Sequence, residues 1–130
     1  MKKTGLFLAI MALLFTLLRC DPPRYYNYFI TNNCQETIRV EIVLLNTIGW
    51  IVTENSNSLI KPDSTQLILL MEDYQPTYSY MVEAFFKEII ITKGNDTSKV
   101  NYVNKDLWDF RKTSKDHADS YLTVNPEDFE

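Results

Sequence analysis

Residues 37–45 constrain this chain more tightly than any other stretch. Ile38, Val40, Ile42 and Leu44 alternate with Thr37, Arg39 and Glu41. A two-residue period places the first set on one face of an extended strand and the second on the other. This pattern predicts a half-buried β-strand. Residues 25–31 are aromatic and β-branched enough for another strand, and Asn32-Asn33-Cys34 marks a turn after it. Residues 50–53 continue the sheet after a turn at 46–49. Residues 55–58, Asn-Ser-Asn-Ser, read as a polar loop. Leu67 to Met71 are all apolar, so residues 65–71 are expected to be buried on both faces.

The second half is less regular. Tyr78, Met81, Val82, Phe85, Phe86 and Ile89 fit helical spacing, whereas Tyr78, Tyr80, Val82, Ala84 and Phe86 fit strand alternation. The reading adopted is a strand start followed by a helical turn over residues 83–88. Residues 89–93 are a strand, 94–97 a turn, and 99–103 are expected to pair back as a hairpin. Residues 104–119 read as a long polar loop with Leu107, Trp108 and Phe110 embedded. Residues 120–125 form a last strand. About seven short strands with one short helix make the chain mainly β, an antiparallel β-sandwich over residues 25–130.

The first nineteen residues differ in character. Lys2 and Lys3 precede residues 5–18, which carry no charge and are rich in Leu, Phe, Ala, Ile and Met. Fourteen residues are short for a membrane span, which needs about 20. They suit a secretory h-region of about 7 to 15 residues. Residues 1–19 are therefore expected to be a signal peptide. Leu17-Leu18-Arg19-Cys20 resembles a bacterial lipobox, in which diacylglycerol is attached to the cysteine sulfur. Arg19 stands where that motif carries a small residue. The resemblance implies lipidation of Cys20, with residues 20–24 as a short tether stiffened by Pro22 and Pro23. If lipid occupies Cys20, Cys34 is left without an intramolecular partner, and stability must come from the core.

The chain has 13 Lys+Arg and 17 Asp+Glu. Without Lys2, Lys3 and Arg19 the balance is 10 against 17, a net charge of −7. Such a surface argues against nucleic acid as a partner, since phosphates require cationic side chains. The leader, the alternating strand after Asn-Asn-Cys and the Lys61-Pro62-Asp63-Ser64 loop are similar to small envelope lipoproteins of the Bacteroidota type. So are Phe85-Phe86-x-x-Ile89-x-Ile91, the Trp108 segment and the closing Tyr121-Leu122-Thr123-Val124. The resemblance implies an immunoglobulin-like or transthyretin-like sandwich in the cell envelope, anchored to the membrane through lipid. It implies no activity.

Few residues suggest chemistry. The single histidine, His117, lies between Asp116 and Asp119, so a His–carboxylate pair is conceivable. Yet no G-x-S-x-G elbow occurs and Cys34 has no neighbouring base in sequence. One histidine and one remaining cysteine cannot make a zinc tetrad. Asp106, Asp109, Asp116 and Asp119 lack calcium-loop spacing, and no Gly-rich phosphate loop is present. No catalytic residue, cofactor or metal is expected, and the chain is read as a non-enzyme. The candidate partner-binding residues are Trp108, Phe110 and Arg111, because an aromatic and an arginine in a long loop can form a recognition surface. The preferred reading of Trp108, with Leu107, is an anchor that holds that loop on the core, since large aromatics usually contribute by burial. Tyrosines at 25, 26, 28, 74, 78 and 80 leave glycan stacking open, and Asp63-Ser64-Thr65 resembles a short O-glycosylation motif. The chain is expected to be a membrane-anchored binding or accessory module whose partner is an envelope protein or a glycan. The alternative is a structural component of an envelope or surface assembly, and a small hydrolase using His117 is the weakest reading.

Overall fold

The computed structural model describes residues 23–45, 50–73 and 82–130. The expected signal peptide, Cys20, the expected turn at 46–49 and Tyr74, Tyr78 and Tyr80 lie outside the described residues. Among the described residues nine strands and one short α-helix follow in order: β1 (Arg24–Asn32), β2 (Ile38–Leu44), β3 (Trp50–Glu54), β4 (Asn57–Ile60), β5 (Ser64–Asp73), α1 (Val82–Phe85), β6 (Phe86–Lys93), β7 (Asp96–Thr97), β8 (Trp108–Lys112) and β9 (His117–Val124). They form a five-stranded sheet in the order β3-β5-β1-β9-β8 and a four-stranded sheet in the order β4-β2-β6-β7. The fold is a mainly β sandwich. One pairing departs from the antiparallel expectation: β1 and β9 run parallel, from Tyr25 opposite His117 to Asn32 opposite Val124.

The alternation in β2 holds residue by residue. Ile38, Val40 and Ile42 are buried while Arg39, Glu41 and Val43 are exposed. In β1 the buried set is Tyr26, Tyr28, Ile30 and Asn32. The continuous apolar run in β5 has a specific cause. Tyr28 pairs with Leu69 and Phe29 with Leu67, so Ile68 is the extra residue of a β-bulge. The bulge turns consecutive Ile68 and Leu69 both inward, and both are fully buried. Asn55, just past β3, closes the irregularity: its backbone N–H donates to the Ile68 carbonyl (3.0 Å) and its Nδ2 to the Leu67 carbonyl (2.8 Å). Lys61-Pro62-Asp63-Ser64 turns the chain from one sheet to the other, with Asp63 at a φ of 53° and Ser64 N–H donating to the Lys61 carbonyl. Proline at the second position and a positive φ at the third describe a type II turn.

Several expectations require correction. The helical turn covers Val82–Phe85, and strand β6 already begins at Phe86. A bulge explains the misleading spacing: Leu44 pairs with Phe86 and Val43 with Glu88, leaving Lys87 extra. Phe86 and Ile89 are thus both buried three residues apart, which in sequence imitates a helix. The loop expected at 55–58 contains the start of β4, where Ser58 is buried and its Oγ donates to the Asn55 carbonyl (3.1 Å). Residues 99–103 form no strand; the return from Gly94 (φ 59°) is the two-residue β7. Most of the long loop expected at 104–119 is a hairpin of β8 and β9. After Trp108 every residue of β8 is exposed, so this edge strand has a loop's composition.

An aromatic cluster centred on Tyr28 joins the sheets. Its ring meets Phe86 edge-on at 5.2 Å, Phe85 at 5.9 Å and Trp108 at 5.8 Å between centroids. Among the described residues the buried Tyr28 hydroxyl has no hydrogen-bond partner, and burial holds its proton on well above the usual tyrosine range. An unpaired buried hydroxyl costs about 1–3 kcal/mol. Tyr28→Phe is therefore expected to leave stability unchanged or raise it by about 1 kcal/mol. A drop of similar size in chemical denaturation would refute this.

Asn32, fully buried at the far end of β1, ties the two sheets together. Its Oδ1 accepts from the Cys34 N–H (2.8 Å), and its Nδ2 donates to the carbonyls of Glu36 (2.8 Å) and Ile60 (2.9 Å). Cys34 is a buried free thiol, held protonated by desolvation. The chain's last turn, at Pro126–Phe129, is fastened by Asp128: its carboxylate accepts from the Tyr102 hydroxyl (3.1 Å) and the Asn125 N–H (3.0 Å).

Candidate functional site

The three residues proposed from sequence part company on β8. Trp108 is only 8% exposed. Its indole N–H donates to the Tyr102 carbonyl (2.8 Å) and its ring lies against Tyr28 and Phe86. It anchors the edge strand on the core. Phe110 is 39% exposed, opposite the buried Ser120 on β9. Arg111 projects from the outer face of the sheet. Its Nε and Nη2 both donate to Asp109 Oδ2, at 2.9 and 2.7 Å, and its guanidinium lies 4.7 Å over the Tyr121 ring. Asp109 favours the charged guanidinium, raising its pKa further. Tyr121 in turn stacks on Phe29 (4.9 Å, 11° between planes). Beside this row runs an open groove of about 350 Å³, lined by Leu107, Asp109, Tyr121, Thr123, Asn125 and Asp128 among others.

His117 begins β9 and is exposed. Its ring stacks on Tyr25 (5.0 Å between centroids), and its Nδ1 lies 3.2 Å from Ser114 Oγ. That Oγ also accepts from the Asp116 N–H (3.3 Å), while Ser114 N–H donates to the His117 carbonyl (3.2 Å). Serine and histidine here close the turn between β8 and β9. The adjacent notch, lined by Arg24, Tyr25, Lys112 and Lys115 among others, has about 10 Å³ of space, room for one water at most.

The exposed apolar side chains gather elsewhere. Trp50 (72% exposed), Ile51 (45%) and Val52 (50%) open β3, the outermost strand of the larger sheet. Val52 is the extra residue of a second bulge, because Ile51 pairs with Met71 and Thr53 with Leu70. The bulge breaks the alternation and leaves three consecutive apolar residues uncovered. Register places this patch: Trp50 is opposite Glu72, Glu72 opposite Tyr25, and Tyr25 opposite His117. Trp50 therefore shares one end of the sandwich with the start of β1. Val43, near the end of β2, and Leu45, just past it, are both exposed and lie at the same pole: the Leu45 N–H donates to the Phe85 carbonyl (2.9 Å), and the Phe85 ring lies 6.2 Å from that of Tyr26 on β1. Sequence reading gave residues 50–52 no functional weight; three apolar residues without alternation were the available signal.

Among the described residues no group of three or more His, Cys, Asp or Glu side chains is placed to hold a metal ion, and no helix is long and apolar enough to cross a membrane. No protein-family model matches the chain, and no curated protein matches it in sequence.

Proposed function

We propose that this chain is an exported lipoprotein of the bacterial envelope, held by lipid on Cys20, whose sandwich serves as a non-enzymatic binding or accessory module. The observation that carries this reading is the patch of Trp50, Ile51 and Val52 on an open sheet edge. A domain that buries Tyr26, Tyr28, Phe85, Phe86 and Trp108 leaves its other tryptophan in solvent, and contiguous exposed apolar surface marks a contact. The address comes from the leader: a basic start, an uncharged apolar run and a cysteine at its end. A second reading, a structural component of an envelope assembly, draws on the same edge. Among the described residues β3 is the outermost strand of its sheet, and an edge strand offers backbone groups that another strand can extend.

The test is the mass of the mature N-terminus from the membrane fraction, beside a Cys20→Ala variant. A diacylated or triacylated Cys20 is expected, and most of the variant is expected in the soluble fraction. An unmodified N-terminus beyond Cys20 would mean an exported protein without a lipid anchor and would overturn the reading.

A further inference from the structure

We propose that the pole carrying Trp50 is a membrane-docking face, which rests on the surface of the bilayer that holds the Cys20 lipid. The inference rests on the anchoring reading above and names what its apolar patch touches.

Chain length is the first argument. Four residue steps separate Cys20 from Arg24, the first residue of β1, and they span at most about 14 Å. The nine residues of β1 then run away from that end for about 30 Å. A lipid on Cys20 therefore keeps the β1 start close to the headgroups and leaves the opposite pole beyond the tether's reach. The patch lies on the tethered pole, since Trp50 and Tyr25 flank the same residue, Glu72, in the sheet.

Composition is the second. Among the described residues, five of the eight exposed large apolar side chains (Val43, Leu45, Trp50, Ile51 and Val52) gather at this pole. Tryptophan favours the membrane interface, where its ring is apolar and its N–H stays hydrated. From Trp50 to Val52 the strand advances about 7 Å, within the roughly 5–10 Å that interfacial segments enter. Charge is the third. The chain is net negative, yet the rim of the notch beside His117 at this pole carries Arg24, Lys112 and Lys115 against Asp116, with Glu72 and Asp73, the latter opposite Arg24, in the adjacent strand. These cations suit lipid phosphates. A protein partner has to arrive by diffusion, whereas the tether holds the bilayer surface at a high effective concentration.

The chain's two tryptophans make the test direct. The full protein, purified from membranes with its own N-terminus, is reconstituted into phosphatidylethanolamine–phosphatidylglycerol vesicles with or without brominated acyl chains, which quench nearby indoles. Trp108 is shielded in the core, and a Trp50→Phe variant removes the reporter. Brominated lipid is expected to lower Trp50 emission about twofold or more, as befits an indole about 5–10 Å deep, and to spare the variant. A lipid-modified Cys20 with an unquenched Trp50, bare or covered by a co-purifying protein, would overturn docking and leave the anchor standing. An unmodified Cys20 on a chain in the soluble fraction would overturn the anchor and docking with it.

Discussion

Trp108→Ala is expected to destabilise the fold by about 3–5 kcal/mol, the usual result of truncating a large buried aromatic. Three losses combine. The indole leaves a cavity against Tyr28 and Phe86. The Tyr102 carbonyl loses its donor. Strand β8 also loses its only buried side chain, so Phe110 and Arg111 lose their support. Against a total stability of about 5–15 kcal/mol for a domain of this kind, the variant is expected to be partly unfolded at 37 °C. Trp50→Ala is the matched control. At 72% exposure it is expected to shift stability by no more than about 0.5 kcal/mol. Urea denaturation of both, followed by far-ultraviolet circular dichroism, checks the pair. Equal losses would mean that Trp50 is covered in the free protein.

Asn32→Ala is expected to cost about 3 kcal/mol or more, because one side chain satisfies three backbone groups and each buried orphan costs about 1–3 kcal/mol. Asn32→Asp separates hydrogen bonding from volume. A carboxylate retains an acceptor for the Cys34 N–H but turns negative oxygen towards the carbonyls of Glu36 and Ile60. Burial and those carbonyls favour its protonated form, which can donate, so its folded pKa lies above the unfolded value of about 3.9. Stability is then present below about pH 4 and is lost as pH rises through the folded pKa. Asn32→Asp is therefore expected to gain stability relative to wild type on acidification, and Asn32→Ala to show no such gain. A pH-independent deficit in the aspartate variant would show that Asn32 acts through packing alone.

Strand existence was largely legible in the sequence, and strand boundaries were not. Ile38, Val40 and Ile42 announced a buried face because the strand period matched the pleat without interruption. Phe86 and Ile89 did not, because a bulge at Lys87 inserted one residue and shifted the buried spacing to three. Edge position misled in a second way. Residues 109–112 read as loop because solvent covers their side chains, and only the pairing with β9 shows them to be strand. Asn32 read as a turn former, a local role. Its bonds to Ile60, 28 residues away, depend on the second sheet. Trp108 was legible as an aromatic of consequence, and both of its possible roles were visible. Burial in the structure favours the anchoring one.

By itself, the sequence determined an uncharged apolar run after two lysines with a cysteine just past its end, a net negative charge for the chain, and a mainly β domain built on two-residue alternation. Each is a local property, carried by neighbouring residues. The tertiary structure alone decided which tryptophan is buried, which strands are edges, and that Trp50, Ile51 and Val52 share a pole with the start of β1. Those facts depend on pairings between distant segments, β3 with β5 and β5 with β1. No local pattern encodes them, because exposure of a side chain is set by what packs over it.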